Sequence, residues 1–259
     1  MQIRKNPFKQ GLKEGRKQLG IWSGLRSNTV AEMLAVAGYD WIVVDTEHGP
    51  NEVPDVLLQL QVIQPLGSEP MVRVAWNDPV LMKRILDIGA QTLLIPMVQT
   101  AEEARAAVAA TRYPPDGIRG VMSLARMNGF GKVVDYYQRA AEEMCVVVQA
   151  ETITAVENIP GMAAIDGVDG IFIGPSDLSA SMGHIGNPNH PEVQKEIRRG
   201  LDLCHKHGKP AGILTASVPD AERYIDWGYD FIAVGSDLGM MAGVASQRHD
   251  HFRAKLGGK

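Results

Sequence analysis

The segment CVVVQAETITAVENIPGMAAIDGVDGIFIGPSD, residues 145–177, decides the fold. It contains two short apolar runs, Cys145 to Val148 and Gly170 to Ile173, each bounded by turn residues, and such runs read as buried strands. Both break into acid. The first leads into Gln149-Ala150-Glu151 and the second into Gly174-Pro175-Ser176-Asp177. Just before the second strand stands Gly167-Val168-Asp169, where glycine ends a helix by taking the left-handed conformation.

The same grammar extends outward in both directions. Further strand candidates are Leu19 to Trp22, Trp41 to Val44, Met71 to Val74, Thr92 to Pro96, Ala211 to Leu214 and Phe231 to Val234. Between them lie stretches with apolar residues at three and four spacing, including Val30 to Ala37, Val53 to Ile63, Val80 to Ile88 and Ala101 to Thr111. Asn77-Asp78-Pro79 supplies a cap and a first-turn proline for one of these helices, and Gly89 closes it. Gly38-Tyr39-Asp40, Gly89-Ala90-Gln91 and Gly228-Tyr229-Asp230 repeat the helix-stop and strand-entry device. Strands alternating with helices imply a parallel sheet, and eight of them in 259 residues imply one (β/α)8 TIM barrel domain spanning residues 1–259.

Composition narrows the function. The chain is 45% hydrophobic and 22% charged, with a net charge of -4 and no long run of one sign. It carries no electrostatic footprint for nucleic acid or an anionic membrane, so the expected partner is a small molecule. The basic start, Met1-Gln2-Ile3-Arg4-Lys5-Asn6-Pro7, lacks the apolar core of a signal peptide, and no stretch approaches the roughly 18 apolar residues of a membrane span. The expected location is the cytoplasm. Cys145 and Cys204 are too few for a disulfide framework, and Cys145 reads as buried packing.

One stretch breaks the alternation. Arg112 to Gly131 has two prolines and four glycines and offers no clear strand. It reads either as a surface excursion or as a lid or pocket wall that offers Arg119 and Arg126 to an anionic substrate.

In a parallel barrel every strand exit lies on one face, where the active site forms. The polar residues at those exits are Trp22, Asp45, Glu47, His48, Arg73, Gln149, Glu151 and Asp177. Glu151 and Asp177 are hard oxygen donors suited to magnesium, manganese or a similar ion; the competing reading makes each a cap of the following helix. Arg73 interrupts an apolar strand and needs an anionic partner, either a protein carboxylate or a substrate. His48 follows two acids that could orient its imidazole, which makes it a candidate base. Cys204-His205-Lys206-His207 and His249-Asp250-His251 read as solvated faces. There is no GxGxxG fingerprint after a strand and no P-loop, so no nucleotide cofactor is expected.

Asp45-Thr46-Glu47-His48-Gly49-Pro50, Trp76-Asn77-Asp78-Pro79, Arg112-Tyr113-Pro114-Pro115, Gln149-Ala150-Glu151-Thr152 and Phe172-Ile173-Gly174-Pro175-Ser176-Asp177 occur in this order. Together they resemble the HpcH/HpaI family of class II pyruvate aldolases, and the resemblance runs from about Asn6 to Asp237. It implies reversible retro-aldol cleavage of a 4-hydroxy-2-oxo acid to pyruvate and an aldehyde, with a divalent metal (Mg, Mn or Co) and without a Schiff-base lysine. It further implies that Glu151 and Asp177 hold the metal and that Gln149 and Ser176 contact pyruvate, in a pocket bordered by Trp22. Arg73 would stabilise the enolate, and His48 would move the proton of the 4-hydroxyl. Asp87 would raise the basicity of this His from a neighbouring subunit, Asp45 would support the site or cap a helix, and the chain would form a hexamer, with the last helix exchanged between partners.

Two departures stand out. Thr46 replaces the glycine usual in the family, and the Gly120 to Gly131 loop differs, with Met122 after Gly120-Val121; both are expected at the aldehyde end of the pocket. Rival readings are a related metal-enolate enzyme such as a CoA-ester lyase, which needs a basic surface for its nucleotide, and a non-catalytic protein that binds metal and a 2-oxo acid. The second has little use for a base and an enolate-stabilising arginine together.

Overall fold

A computed structural model describes residues 1–257. Helix α1 (Pro7–Lys13) is followed by β1 (Gln18–Ser23), α2 (Asn28–Val36), β2 (Trp41–Asp45), α3 (Val53–Ile63), β3 (Glu69–Arg73), α4 (Pro79–Asp87), β4 (Thr92–Ile95) and α5 (Ala101–Thr111). The second half runs α6 (Tyr136–Glu143), β5 (Cys145–Ala150), α7 (Ile153–Glu157), α8 (Ile159–Ala163), β6 (Gly170–Ile173), α9 (Pro175–Ser181), α10 (Pro191–Lys206), β7 (Ala211–Leu214), α11 (Val218–Trp227), β8 (Phe231–Ser236) and α12 (Asp237–Lys255). The strands pair in parallel in chain order, and β8 returns to β1 to close the barrel. All eight expected strands are present.

The repeated glycine device works as its chemistry requires. Gly38, Gly89 and Gly228, with φ of 90°, 97° and 105°, make the left-handed turn that stops α2, α4 and α11, and Gly167, with φ of 96°, makes the same turn three residues beyond the cap of α8. In three of the four, the aspartate two residues on then ties down the start of a neighbouring strand. Asp40 accepts from the Leu19 N–H at 2.8 Å, Asp169 from Val146 at 2.9 Å and Asp230 from Ala211 at 2.9 Å. At the α4 start, Asp78 accepts from the N–H groups of Val80 and Leu81, as the cap reading expects.

Side chains alternate along each strand, so one set fills the barrel and the other packs under the helices. Trp41, Val43, Met71, Leu94, Val147 and Phe172 belong to the interior set, while Ile42, Val44, Val72 and Val148 join the outer core. The interior is tight at its lower end. A Cβ on Gly20 would meet the Trp41 ring at 2.1 Å, so only glycine fits there. Helix α1 closes that end with Phe8, which is fully buried and stacks edge-on against Phe231 at 5.3 Å. No sequence expectation had placed a helix there.

Cys145 and Cys204 are both buried and free, as the packing reading holds. Burial pushes the Cys204 thiol up to about 12. Among the described residues no helix is long and apolar enough to cross a membrane. Helix α12 is unusual: only Asp237, its first residue, is buried, and the rest of the helix stands exposed.

Candidate active site at the C-terminal mouth of the barrel

The inward alternation that builds the core also builds the site. Two residues beyond Val43 in β2 comes Asp45, two beyond Met71 in β3 comes Arg73, and two beyond Val147 in β5 comes Gln149. The polar residues are therefore the top layer of the barrel filling. Asp45 and Arg73 are register partners on adjacent strands, so their side chains meet.

Arg73 is buried and held from two sides. Its Nε and Nη2 donate to the two Asp45 oxygens at 2.9 and 2.6 Å, and Nη1 lies 2.9 Å from Glu47 Oε2. The guanidinium sits 5.1 Å from the Trp22 ring centroid, and Trp22 Nε1 donates to Asp45 Oδ2 at 3.3 Å. Burial works against the Arg73 charge, but the carboxylates outweigh it and leave its pKa above the ordinary value. Burial likewise pushes the Asp45 carboxyl up, yet hydrogen bonds from Arg73 and from the backbone of Glu47 and His48 hold it below the usual range. Of the two partners open to Arg73, the protein carboxylate is present.

Glu151 is 2% exposed, and its carboxyl is pushed up to about 7, first by burial and then by the charges of Asp177 and Glu47. Its Oε1 accepts from the Met97 N–H at 2.7 Å and its Oε2 from Gln149 Nε2 at 2.6 Å. Thr152, not Glu151, caps α7, so the capping explanation fails for Glu151. Asp177 lies exposed in the first turn of α9, whose cap residue Gly174 has no side chain to offer. A Cβ at Gly174 would stand 2.7 Å from Glu151 Oε2 and 3.0 Å from Gln149 Nε2, so this glycine keeps space open beside the carboxylate. Gln149 Oε1 is buried without a hydrogen-bond partner. Two carboxylates and an unpaired amide oxygen form an all-oxygen donor set, which fits a hard divalent cation.

Trp22, Asp45, Arg73 and Ser176 line one cavity of 360 Å³, together with Asn189 and Thr215. A larger cavity of 590 Å³ lies elsewhere, bordered by Arg4, Gly89, Arg126 and Phe130. That one is at the strand entrances, where parallel barrels do not place their chemistry.

Several expectations need correction. His48 is exposed at the rim, and its Nε2 is 4.0 Å from Glu47 Oε1, too long for a hydrogen bond. Asp45 accepts from the His48 backbone N–H at 3.3 Å and not from its ring, so the nearby acids shape the turn and hold Arg73 without orienting the imidazole. Asp87, which the resemblance sets beside His48 of a neighbouring subunit, lies at the end of α4, at the opposite end of its own barrel from His48, and accepts from Arg119 Nη2 at 3.1 Å. The 112–131 segment joins α5 to β5 through α6 and is likewise at the entrance end, so it does not cover its own chain's site. Arg119 is buried under it, over the Tyr113 ring at 4.7 Å, and is not offered to a ligand. Thr46 donates to the Arg73 carbonyl at 2.7 Å and borders a different cavity, with Asn51 and Arg84, so it fastens two strands and does not line the Arg73 pocket.

Two contributors were not foreseen. Met97, with φ of 55°, holds a strained conformation that aims its N–H at Glu151. Asp237 accepts from the N–H groups of Gly24 and Leu25 at 2.8 and 3.1 Å and so fixes the turn after Trp22. The acid at the β8 exit was the available signal for Asp237. Nothing in the residue type marks Met97.

Comparison with known proteins agrees with this geometry. The chain is 56% identical over 238 residues to the 4-hydroxy-2-oxo-heptane-1,7-dioate aldolase of Klebsiella pneumoniae subsp. pneumoniae, covering 92% of this chain and 90% of that protein. It is 53% identical over 251 residues to the protein of the same name from Escherichia coli, covering 96% of each. A crystal structure of an HpcH/HpaI aldolase/citrate lyase family protein from Burkholderia cenocepacia J2315 superposes with a TM-score of 0.92 at 39% identity, covering 96% of this chain and all of that one. Residues 18–243, from the first strand into the last helix, match the HpcH/HpaI aldolase/citrate lyase family, and the chain belongs to that family.

Proposed function

We propose that residues 1–259 form one aldolase domain that reversibly cleaves a 4-hydroxy-2-oxo acid to pyruvate and an aldehyde, with a divalent cation held by Glu151 and Asp177. The observation that carries the reading is the top layer of the barrel: a buried arginine and a buried carboxylate with a raised pKa, both on strand exits around one mouth. The aldolase names of the relatives support the same reaction class.

When bound, the cation supplies Lewis acidity to the carboxylate and ketone oxygens of the 2-oxo acid. Gln149 and Ser176 orient the pyruvate half. Arg73, fixed by Asp45 on one edge and by the Trp22 face, places a permanent positive charge where the enolate oxygen develops, and a preorganised donor of this kind acts mainly on the transition state. His48 takes the proton of the 4-hydroxyl as the carbon–carbon bond breaks, and returns it in the condensation direction. Asp87 and His48 stand at opposite ends of one barrel, so their pairing requires a second copy. The exposed α12, with Leu238, Met241, Val244 and Phe252 open, supports a homo-oligomer, a hexamer with exchanged last helices on the family pattern.

The test is pyruvate release from a 4-hydroxy-2-oxo acid. Activity should vanish on thorough chelation and return with manganese, cobalt or magnesium; turnover that survives chelation would defeat the proposal.

A further inference from the structure

The 126–136 segment and the first residues of the chain border a cavity at the strand entrances that the proposed reaction does not use. Its volume of 590 Å³ is that of a small-molecule pocket. Two arginines line it, Arg4 and Arg126, and among the described residues no aspartate or glutamate does. Arg4 is already matched, because its Nη1 and Nη2 donate to the two Glu69 oxygens at 2.7 and 2.9 Å. Arg126 is not. It is half-buried and donates to the Ile88 carbonyl at 3.0 Å and to Gln64 Oε1 at 2.7 Å, both neutral, and no carboxylate of the described residues lies within 4.0 Å of it. The C-terminal end of α4 offsets part of its charge, since such an end carries roughly half a negative charge. The remainder is unmatched: burial, and then the nearby Arg4 charge, hold the Arg126 pKa below its ordinary value. Of the five N–H donors of a guanidinium, two are taken by these bonds.

The rest of the wall is apolar. Ile3, Val133 and Tyr136 are buried along it, and Phe130 stands 68% exposed at its edge. Phe130 is held there with φ of 53°, between left-handed glycines at 129 and 131, a conformation that costs energy in a residue with a bulky side chain. Asn128 Oδ1 fastens this turn by accepting from the Ala125 and Gly131 N–H groups at 3.2 and 3.0 Å.

We infer that this cavity is a second ligand site, which takes a small carboxylate with an apolar body: the carboxylate on Arg126, the body against Ile3, Val133 and Phe130. A planar guanidinium with free donors matches a carboxylate, and a half-buried charge that lacks a counter-ion gains most from binding one. Inorganic phosphate or sulfate would leave the apolar wall uncovered. The cavity lies at the opposite end of the barrel from Arg73 and shares no residue with the mouth, so its ligand and a 2-oxo acid bind without competing.

3-Phenylpropanoate is the probe, titrated by calorimetry into the full-length chain with manganese and pyruvate present to fill the mouth. Saturable binding is expected. 3-Phenylpropan-1-ol keeps the body without the charge and acetate keeps the charge without the body; each should bind about tenfold more weakly or worse. Arg126→Gln should weaken the probe by about tenfold or more, the worth of one charge-assisted hydrogen bond, and Arg73→Ala should leave its affinity unchanged. Phe130→Glu puts a like charge at the exposed edge of the cavity and should weaken the probe to a similar degree, which keeps the test open if Arg126→Gln fails to fold by circular dichroism. The inference is overturned by an absence of saturable binding at millimolar probe, the result expected if a second copy fills the cavity, or by equal affinity for the alcohol. It is overturned equally if Arg73→Ala abolishes binding, or if neither Arg126→Gln nor Phe130→Glu weakens it.

Discussion

Glu151→Gln makes the reasoning about the buried carboxylate quantitative. Glu151 titrates at about 7 in the folded chain against an ordinary value of 4.5. A raised carboxylate means that the folded state holds its proton more tightly. The cost of ionising it is absent below the unfolded value, grows through the window from 4.5 to about 7, and is complete above it. At about 1.4 kcal/mol for each tenfold step, the gap corresponds to about 3 kcal/mol at pH 8 in metal-free protein. The amide variant removes that cost. It keeps an acceptor for the Met97 N–H, and a flip of Gln149 turns its partnerless Oε1 toward the new donor. Denaturant unfolding with chelator present at pH 4 and pH 8 provides the assay. The variant should gain about 1 to 3 kcal/mol over wild type at pH 8 and nothing at pH 4, while losing the stabilisation that added manganese gives wild type. Equal pH dependence in the two proteins, or a variant weaker at pH 8, would refute the argument.

Other substitutions probe separate contacts. Arg73→Lys keeps the charge but loses the fork that grips Asp45, so kcat for pyruvate release should fall about 10²–10³-fold with the far-ultraviolet dichroism unchanged. Asp45→Asn leaves a buried guanidinium without its bidentate carboxylate, and urea denaturation should register a loss of about 3 kcal/mol at neutral pH. Gly174→Ala drives a methyl group against Glu151 and Gln149; manganese affinity by titration calorimetry should drop about tenfold or more while the melting temperature moves only a few degrees. If the chain assembles as proposed, truncation before α12 should lower the mass seen by light scattering, and an unchanged mass would remove α12 from the interface.

The barrel was legible because two simple signals repeat in the chain. Apolar runs that end in polar residues marked the strands, and the glycine–x–aspartate turn marked their entrances, with Gly38, Gly167 and Gly228 doing the same work three times. Strand ends were read short at Asp45 and Gln149 because polar residues look like loop, although in a barrel they are the last inward layer. Sequence proximity misled at His48, since neighbours in a turn point apart: Asp45 faces Arg73, and Glu47 is too far from the ring. The composition of the 112–131 segment suggests a lid or pocket wall, but its position between a helix and a strand decides its place. A connection from helix to strand returns to the entrance end, whatever its composition suggests. Met97 depends on backbone conformation, for which residue type gives no sign, whereas Asn6-Pro7 offers α1 the same cap and first-turn proline that Asp78-Pro79 offers α4.

The most direct test of the central claim is anomalous diffraction from crystals grown with manganese and pyruvate. The account predicts a strong peak within bonding distance of both Glu151 and Asp177, with pyruvate oxygens completing the coordination and Arg73 against the ketone oxygen. Manganese-dependent turnover in the same preparation with no peak between these two carboxylates would contradict it.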